Sequence, residues 1–164
     1  MDRAAQAKAQ WERELPRLDM DPMVLIGRLA EVQHLMAENW LEPIFKSNGL
    51  KRGEFDVLAT LRRAGAPYAL TPTQLYQSTM VSSGGMTARI DRLEKNSYIE
   101  RKPHPTDRRA LMVVLSPKGK KLIDQMMPAY VQAQHDAVGS LTSAQQQTLS
   151  SLLATLVENL EAPD

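Results

Sequence analysis

The stretch Ser82-Ser-Gly-Gly-Met-Thr-Ala-Arg-Ile-Asp-Arg92 concentrates groups suited to holding an anionic backbone. Ser82, Ser83 and Thr87 are short hydroxyl donors, and Gly84 with Gly85 leaves peptide N–H groups bare where a helix is expected to begin. Amides at a helix N-terminus bind phosphate oxygens. Two adjacent glycines in a first turn cost about 1 kcal/mol each relative to alanine. Close approach to a partner explains that cost, whereas core packing does not. Arg89 and Arg92, one helical turn apart, can reach phosphates or base edges. A second set follows at Asp107-Arg108-Arg109. There an arginine suits a narrow, electronegative groove, and Asp107 is placed to orient the guanidinium of Arg109.

Charge distribution agrees. The 164 residues carry 20 Lys+Arg and 19 Asp+Glu, a net charge of +1. That average hides three blocks. Residues 1–81 hold ten bases and ten acids, residues 82–121 ten bases and four acids, and residues 122–164 five acids with no Lys or Arg. The +6 block coincides with the groups just described and forms an electrostatic footprint for a polyanion. Charge alone fits a solvated basic face equally well. Cysteine is absent, which excludes disulfides, a thiolate nucleophile, Cys-based zinc sites and a thiol redox switch. His34, His104 and His135 are dispersed, and no metal-ligand spacing or nucleophile elbow is present. No catalytic residue, metal, cofactor or enzyme activity is therefore expected. No apolar run approaches the roughly 20 residues that span a bilayer, and the N-terminus lacks a signal peptide's apolar stretch. A cytoplasmic protein without a membrane partner is expected.

The elements that must position these groups are mainly helical, with 5% aromatic residues and long period-3.6 apolar patterns. A short N-terminal helix ending near Pro16 is expected, then a long one from Asp21-Pro22 to about Lys46. The long helix is predicted to bury Leu25, Leu29, Val32, Met36, Trp40 and Ile44, with Pro43 interrupting its last turn. A helix over 52–63 and a short one opened by Thr71-Pro72 follow. A tight turn then leads to a helix capped by Ser82. This spacing is a helix-turn-helix. Extended segments over 97–102 and 110–115 flank a basic loop, giving a hairpin wing. Ser116-Pro117 opens a helix to about Val138, and Thr142-Ser-Ala-Gln145 is a capping box for the last one. That helix lines up Leu149, Leu152, Leu153, Leu156, Val157 and Leu160, which either meet a second copy or pack on the chain's own first long helix.

The blocks Glu54-Phe-Asp-Val-Leu-Ala-Thr-Leu61, Leu70-Thr-Pro-Thr-Gln-Leu75, Ser82-Ser-Gly-Gly-Met-Thr87, Arg89-Ile-Asp-Arg-Leu93, Ile99-Glu-Arg101, Thr106-Asp-Arg-Arg109 and Leu115-Ser-Pro-Lys-Gly119 resemble, in this order, the MarR family of bacterial transcription regulators. The resemblance is dense over 25–125. It implies a winged helix-turn-helix over 51–121 that binds DNA, and a helical dimerisation region from 1–50 and 122–164. A homodimer would read a pseudo-palindromic double-stranded operator with half-sites about 34 Å apart, usually as a repressor. DNA contacts are expected from Ser82, Ser83, Gly84, Thr87, Arg89, Arg92, Asp107, Arg108 and Arg109. His104 stands where many relatives carry an acid.

Within that family the chain looks most like the urate-responsive branch, whose effector residues match Trp11, Asp56, Arg89 and Arg101. A planar anion could stack on Trp11 and take paired hydrogen bonds from Arg101 or Arg89. Repelling Asp56, it would redistribute an Asp56–Arg89 pair and pull on the DNA-reading helix. Other readings are a structural Asp56–Arg89 bridge with a packed Trp11, a phenolic or aromatic carboxylate effector, and a winged-helix module that binds protein.

Overall fold

The computed structural model describes residues 2–79, 85–107 and 110–161; Ser82, Ser83, Gly84, Arg108 and Arg109 lie outside the described residues. In chain order the elements are α1 (Arg3–Glu14), α2 (Asp21–Met36), a π-helical turn (Ala37–Leu41), α3 (Glu42–Ser47), α4 (Arg52–Arg63), β1 (Ala69–Leu70), α5 (Pro72–Ser78), α6 (Met86–Lys95), β2 (Ile99–Pro103), β3 (Leu111–Leu115), α7 (Pro117–Ala137) and α8 (Ser143–Glu161). Among them no helix is long and apolar enough to cross a membrane.

Asp2 caps α1 and ties it to α2. One carboxylate oxygen accepts the Ala5 N–H at 2.9 Å and the other accepts from Arg28 Nε at 3.0 Å. Lys8 and Asp21 add an ion pair at 2.7 Å. Pro43 explains the π-helical turn before it: proline cannot donate to the carbonyl four residues back, and its ring crowds that carbonyl. The preceding turn widens, and α3 restarts with Pro43 in its first turn. Gly49, at φ +68°, ends the run.

The stripe predicted to be buried on this long helical run is largely open in the chain. Leu25 is 53% exposed and Val32 59%, while Trp40 is also exposed. The residues the run does bury are Leu41 and Phe45. Phe45 stacks on Phe55 of α4 at 4.9 Å between ring centroids, and Phe55 on Tyr130 of α7 at 4.6 Å. Around this aromatic cluster the core continues through Leu58, Leu61, Leu75, Leu93, Ile99, Val113, Ile123 and Met126. The α8 leucines are likewise uncovered: Leu149, Leu152, Val157 and Leu160 are exposed, and an apolar cleft between α2 and α8 is lined by Leu25, Leu29, Leu152 and Leu156.

The wing strands form an antiparallel pair with Ile99 opposite Leu115 and Pro103 opposite Leu111. A third strand, β1, pairs with β3 on the other side, Ala69 opposite Val114. At two residues it is too short to show an alternating pattern in the sequence. The helix expected from Ser82 begins at Met86, because Gly85 adopts φ +83° at its N-cap. Gly85 thus turns the chain into the helix, where the sequence placed it within the first turn.

The Leu115-Ser-Pro-Lys-Gly119 block locks α7 to the wing. Ser116 Oγ accepts the Gly119 N–H at 3.0 Å and donates to the Ser97 carbonyl at 2.7 Å, while Ser116 N–H donates to Tyr98 O at 3.0 Å. A Cβ on Gly119 would overlap the Tyr98 carbonyl oxygen, which is backbone and cannot rotate away. Gly119→Ala is therefore expected to destabilise the fold by about 1–3 kcal/mol. Urea denaturation would show a lower midpoint at an unchanged slope; an unshifted midpoint would mean that the first turn of α7 is not held against Tyr98.

Candidate nucleic-acid interface and effector site

Thr71 Oγ1 accepts the Gln74 N–H at 3.2 Å, and Gln74 Oε1 accepts the Thr71 N–H at 2.9 Å. This reciprocal cap starts α5, whose Leu75 is fully buried. In α6 the apolar residues Met86, Ile90 and Leu93 face the core. Thr87, Asp91 and Arg92 are exposed, and Arg89 is partly buried. The C-terminal end is closed by Asn96, whose side-chain amide donates to Arg92 O at 2.9 Å, and by Lys118 Nζ, which donates to Asn96 O at 2.9 Å.

In the wing, His104 does the work of an acceptor. Its Nδ1 receives the N–H groups of Thr106 at 3.3 Å and Asp107 at 3.2 Å. The turn is completed by Ala110 N–H donating to Asp107 O at 3.1 Å. An imidazole nitrogen here organises backbone amides as a side-chain carboxylate oxygen would.

Of the four effector residues, the structure brings two together. Arg89 lies across Gly53 of α4, so closely that a Cβ at Gly53 would overlap its guanidinium. Its charge acts on Asp56, one turn further along α4. Burial pushes the Asp56 carboxyl above the ordinary value of 3.8, outweighing the opposing pull of Arg52 and then Arg89. Tyr130 of α7 is in the same neighbourhood: burial and, next, the Asp56 charge raise its phenol above the usual range.

Arg101 is placed elsewhere. Its guanidinium pairs with Asp91 and with Glu94 on α6, and its N–H donates to Glu94 Oε1 at 3.1 Å. Asp91 and Glu94 lie two and five residues beyond Arg89, roughly 200° and 140° around the helix. Arg101 therefore grips the side of α6 away from Arg89. Trp11 sits on α1, which packs along α2, and its indole is 46% exposed. Among the described residues no cluster of His, Asp and Glu could hold a metal ion.

Four partners were not named from the sequence. Glu54 on α4, its side chain 3% exposed, pairs with Arg92 at 3.1 Å. Asp91 and Glu94 hold Arg101, and Arg52 adjoins Asp56. Glu54 carries a local signal only as an N3 acid of α4, where it accepts the Lys51 N–H at 2.8 Å. Nothing local points to Arg92.

The geometry is matched by known proteins. A model of the MarR family matches residues 48–110, from the end of α3 to the wing. The HTH-type transcriptional regulator PecS of Dickeya dadantii is 36% identical over 151 residues, which is 92% of this chain and 90% of that protein. The multiple antibiotic resistance protein MarR of Salmonella typhimurium is 30% identical, covering 81% of this chain and 88% of its own. Among solved structures, Sco3205, a MarR family transcriptional regulator from Streptomyces coelicolor in complex with DNA, superposes with a TM-score of 0.77 at 23% identity. The match covers 88% of this chain and 94% of that one. With the winged helix, its basic block and relatives alike along nearly their whole length, the chain belongs to the MarR family of DNA-binding transcriptional regulators.

Proposed function

We propose that the chain is a homodimeric repressor that binds a pseudo-palindromic operator and is released by a small planar anion such as urate or a related purine. Residues 51–121 form its DNA-binding lobe, and 1–50 with 122–164 its dimerisation region. Thr87, Arg89 and Arg92 on α6 and Asp107 in the wing supply contacts, together with Ser82, Ser83, Gly84, Arg108 and Arg109. The observation that carries the switch is the half-buried Asp56 beside Arg89, since Arg89 belongs to the DNA-reading helix. An anion entering near Asp56 repels its carboxylate and attracts Arg89, so it binds the two positions of α6 unequally, as allostery requires. Trp11 provides a stacking face. For Arg101 to take part it must exchange Asp91 and Glu94 for the anion, and that exchange frees the wing strand from α6. The open apolar faces of α2 and α8 support the homodimer, being the kind of surface a second copy covers.

Three outcomes are expected. Fluorescence anisotropy on a duplex recovered by selection from a random-sequence library should show affinity falling about a thousandfold between about 50 and 200 mM salt, through release of phosphate counterions; affinity indifferent to salt would sink the phosphate contacts. Replacing Leu156 on α8 by Glu should give a monomer in sedimentation equilibrium where the parent chain is a dimer. An unchanged dimer would move the interface elsewhere.

The third outcome concerns Asp56→Asn, which should keep DNA binding and weaken release by urate at least about tenfold, the ordinary scale of an allosteric coupling. Release by an aromatic carboxylate and not by urate would reassign the effector. The same variant tests the electrostatics. A carboxyl whose folded value is raised favours the folded state at low pH, and this contribution is lost as pH rises through the folded value. Asp56→Asn should therefore be the more stable protein at neutral pH, with the difference closing as pH falls toward 3.8. A gap constant across that range would refute the burial assignment.

A further inference from the structure

We infer that Glu54 is a positioning residue for DNA recognition: a buried carboxylate on α4 that sets the rotation of α6 and aims Arg92. This rests on α6 being the helix that enters the DNA groove. The Glu54 side chain is 3% exposed, whereas that of Arg92 is 44% exposed. One carboxylate oxygen meets Arg92 Nε at 3.1 Å and the other accepts the Lys51 N–H at 2.8 Å. With both oxygens engaged the carboxylate cannot swing, and the guanidinium is held at its inner edge while part of the side chain reaches the surface.

The neighbouring residue completes the device. Gly53 leaves room for the Arg89 side chain, so consecutive residues of α4 lie against arginines three apart on α6. Two such points fix the rotation of a helix about its axis, which one point cannot do. Adhesion between the helices does not need them, since Met86, Ile90 and Leu93 already face the core. Apolar contact is non-directional, and desolvating a carboxylate costs several kcal/mol. The ion pair at this place favours one position of Arg92 instead, with its Nε 3.1 Å from Glu54 Oε1.

The test uses the full chain, its selected duplex and a scrambled duplex, with concentrations corrected by titration for active protein. Glu54→Gln keeps the size and the acceptor for Lys51 but removes the charge. Arg92→Lys keeps the charge but removes the Nε group, and at an exposed position it folds even if the buried variant does not. Each should weaken the selected duplex about tenfold, the range for one oriented arginine contact, with affinity for the scrambled duplex undiminished and the salt slope unchanged. The double variant should be no weaker than the worse single one, because the two residues act as a unit. Unchanged or tighter binding of the selected duplex by Glu54→Gln overturns the inference, as does an equal loss on both duplexes. If the parent chain itself prefers no duplex, the reading of α6 fails instead.

Discussion

The packing of α6 against α4 is the contact on which the rest of the molecule depends. A helix laid in a groove reads base edges only if its rotation and its distance from the body are set to a fraction of a side chain. Met86, Ile90 and Leu93 supply adhesion, since burying each large apolar group is worth about 1.5–3 kcal/mol. Adhesion of that kind tolerates sliding. The ion pair of Glu54 with Arg92 and the close approach of Arg89 to Gly53 favour one placement of α6, and both residues lie in the first turn of α4. On the opposite side, Arg101 ties α6 to the first wing strand through Asp91 and Glu94. α6 and the first wing strand are therefore tied together.

The same helix α4 faces the other way onto Phe45 and Tyr130, through Phe55. It contacts α6 on one side and α3 and α7 on the other. Asp56 sits at this junction, buried enough that its charged form is disfavoured even with Arg52 and Arg89 nearby. A carboxylate disfavoured by burial responds to an electrostatic change beside it. Well-satisfied pairs such as Arg62–Asp124, at 2.7 Å on the surface, are worth little and respond little.

Local chemistry was the legible part of this chain. Thr71-Pro72, Ser116-Pro117 and Thr142 announce helix starts through their own side chains, and α4 occupies the span 52–63 that periodicity indicated. The hairpin was read to within a residue or two. Gly85 misled, because a glycine near a helix start serves equally as first turn or as left-handed cap, and only its φ decides. The stripe from Leu25 to Ile44 was correct as an apolar face, but periodicity says nothing of which molecule covers it. At the site, Asp56 and Arg89 follow from the resemblance, and the Arg89 charge acts on Asp56. Glu54 with Arg92, and Arg101 with Asp91 and Glu94, were illegible, since pairs between elements depend on how helices are rotated against one another.

The division of charge follows from this arrangement. The acidic block, 122–164, occupies α7 beyond its first turn and the whole of α8, and α8 carries no Lys or Arg. The basic block occupies α6, the wing and the first turn of α7. In the proposed dimer the apolar faces of α2 and α8 are covered by the second copy. On that side α8 offers Glu158 and Glu161 and no Lys or Arg, so it does not attract phosphate. In that proposal the basic segment 82–121 of each copy is the part that attracts a duplex. Had the +6 and −5 blocks been mixed, the chain would keep its net charge of +1 and lose this division. Near-neutral composition is thus the sum of three unlike blocks, and under the proposed dimer only the block over 82–121 is suited to the duplex.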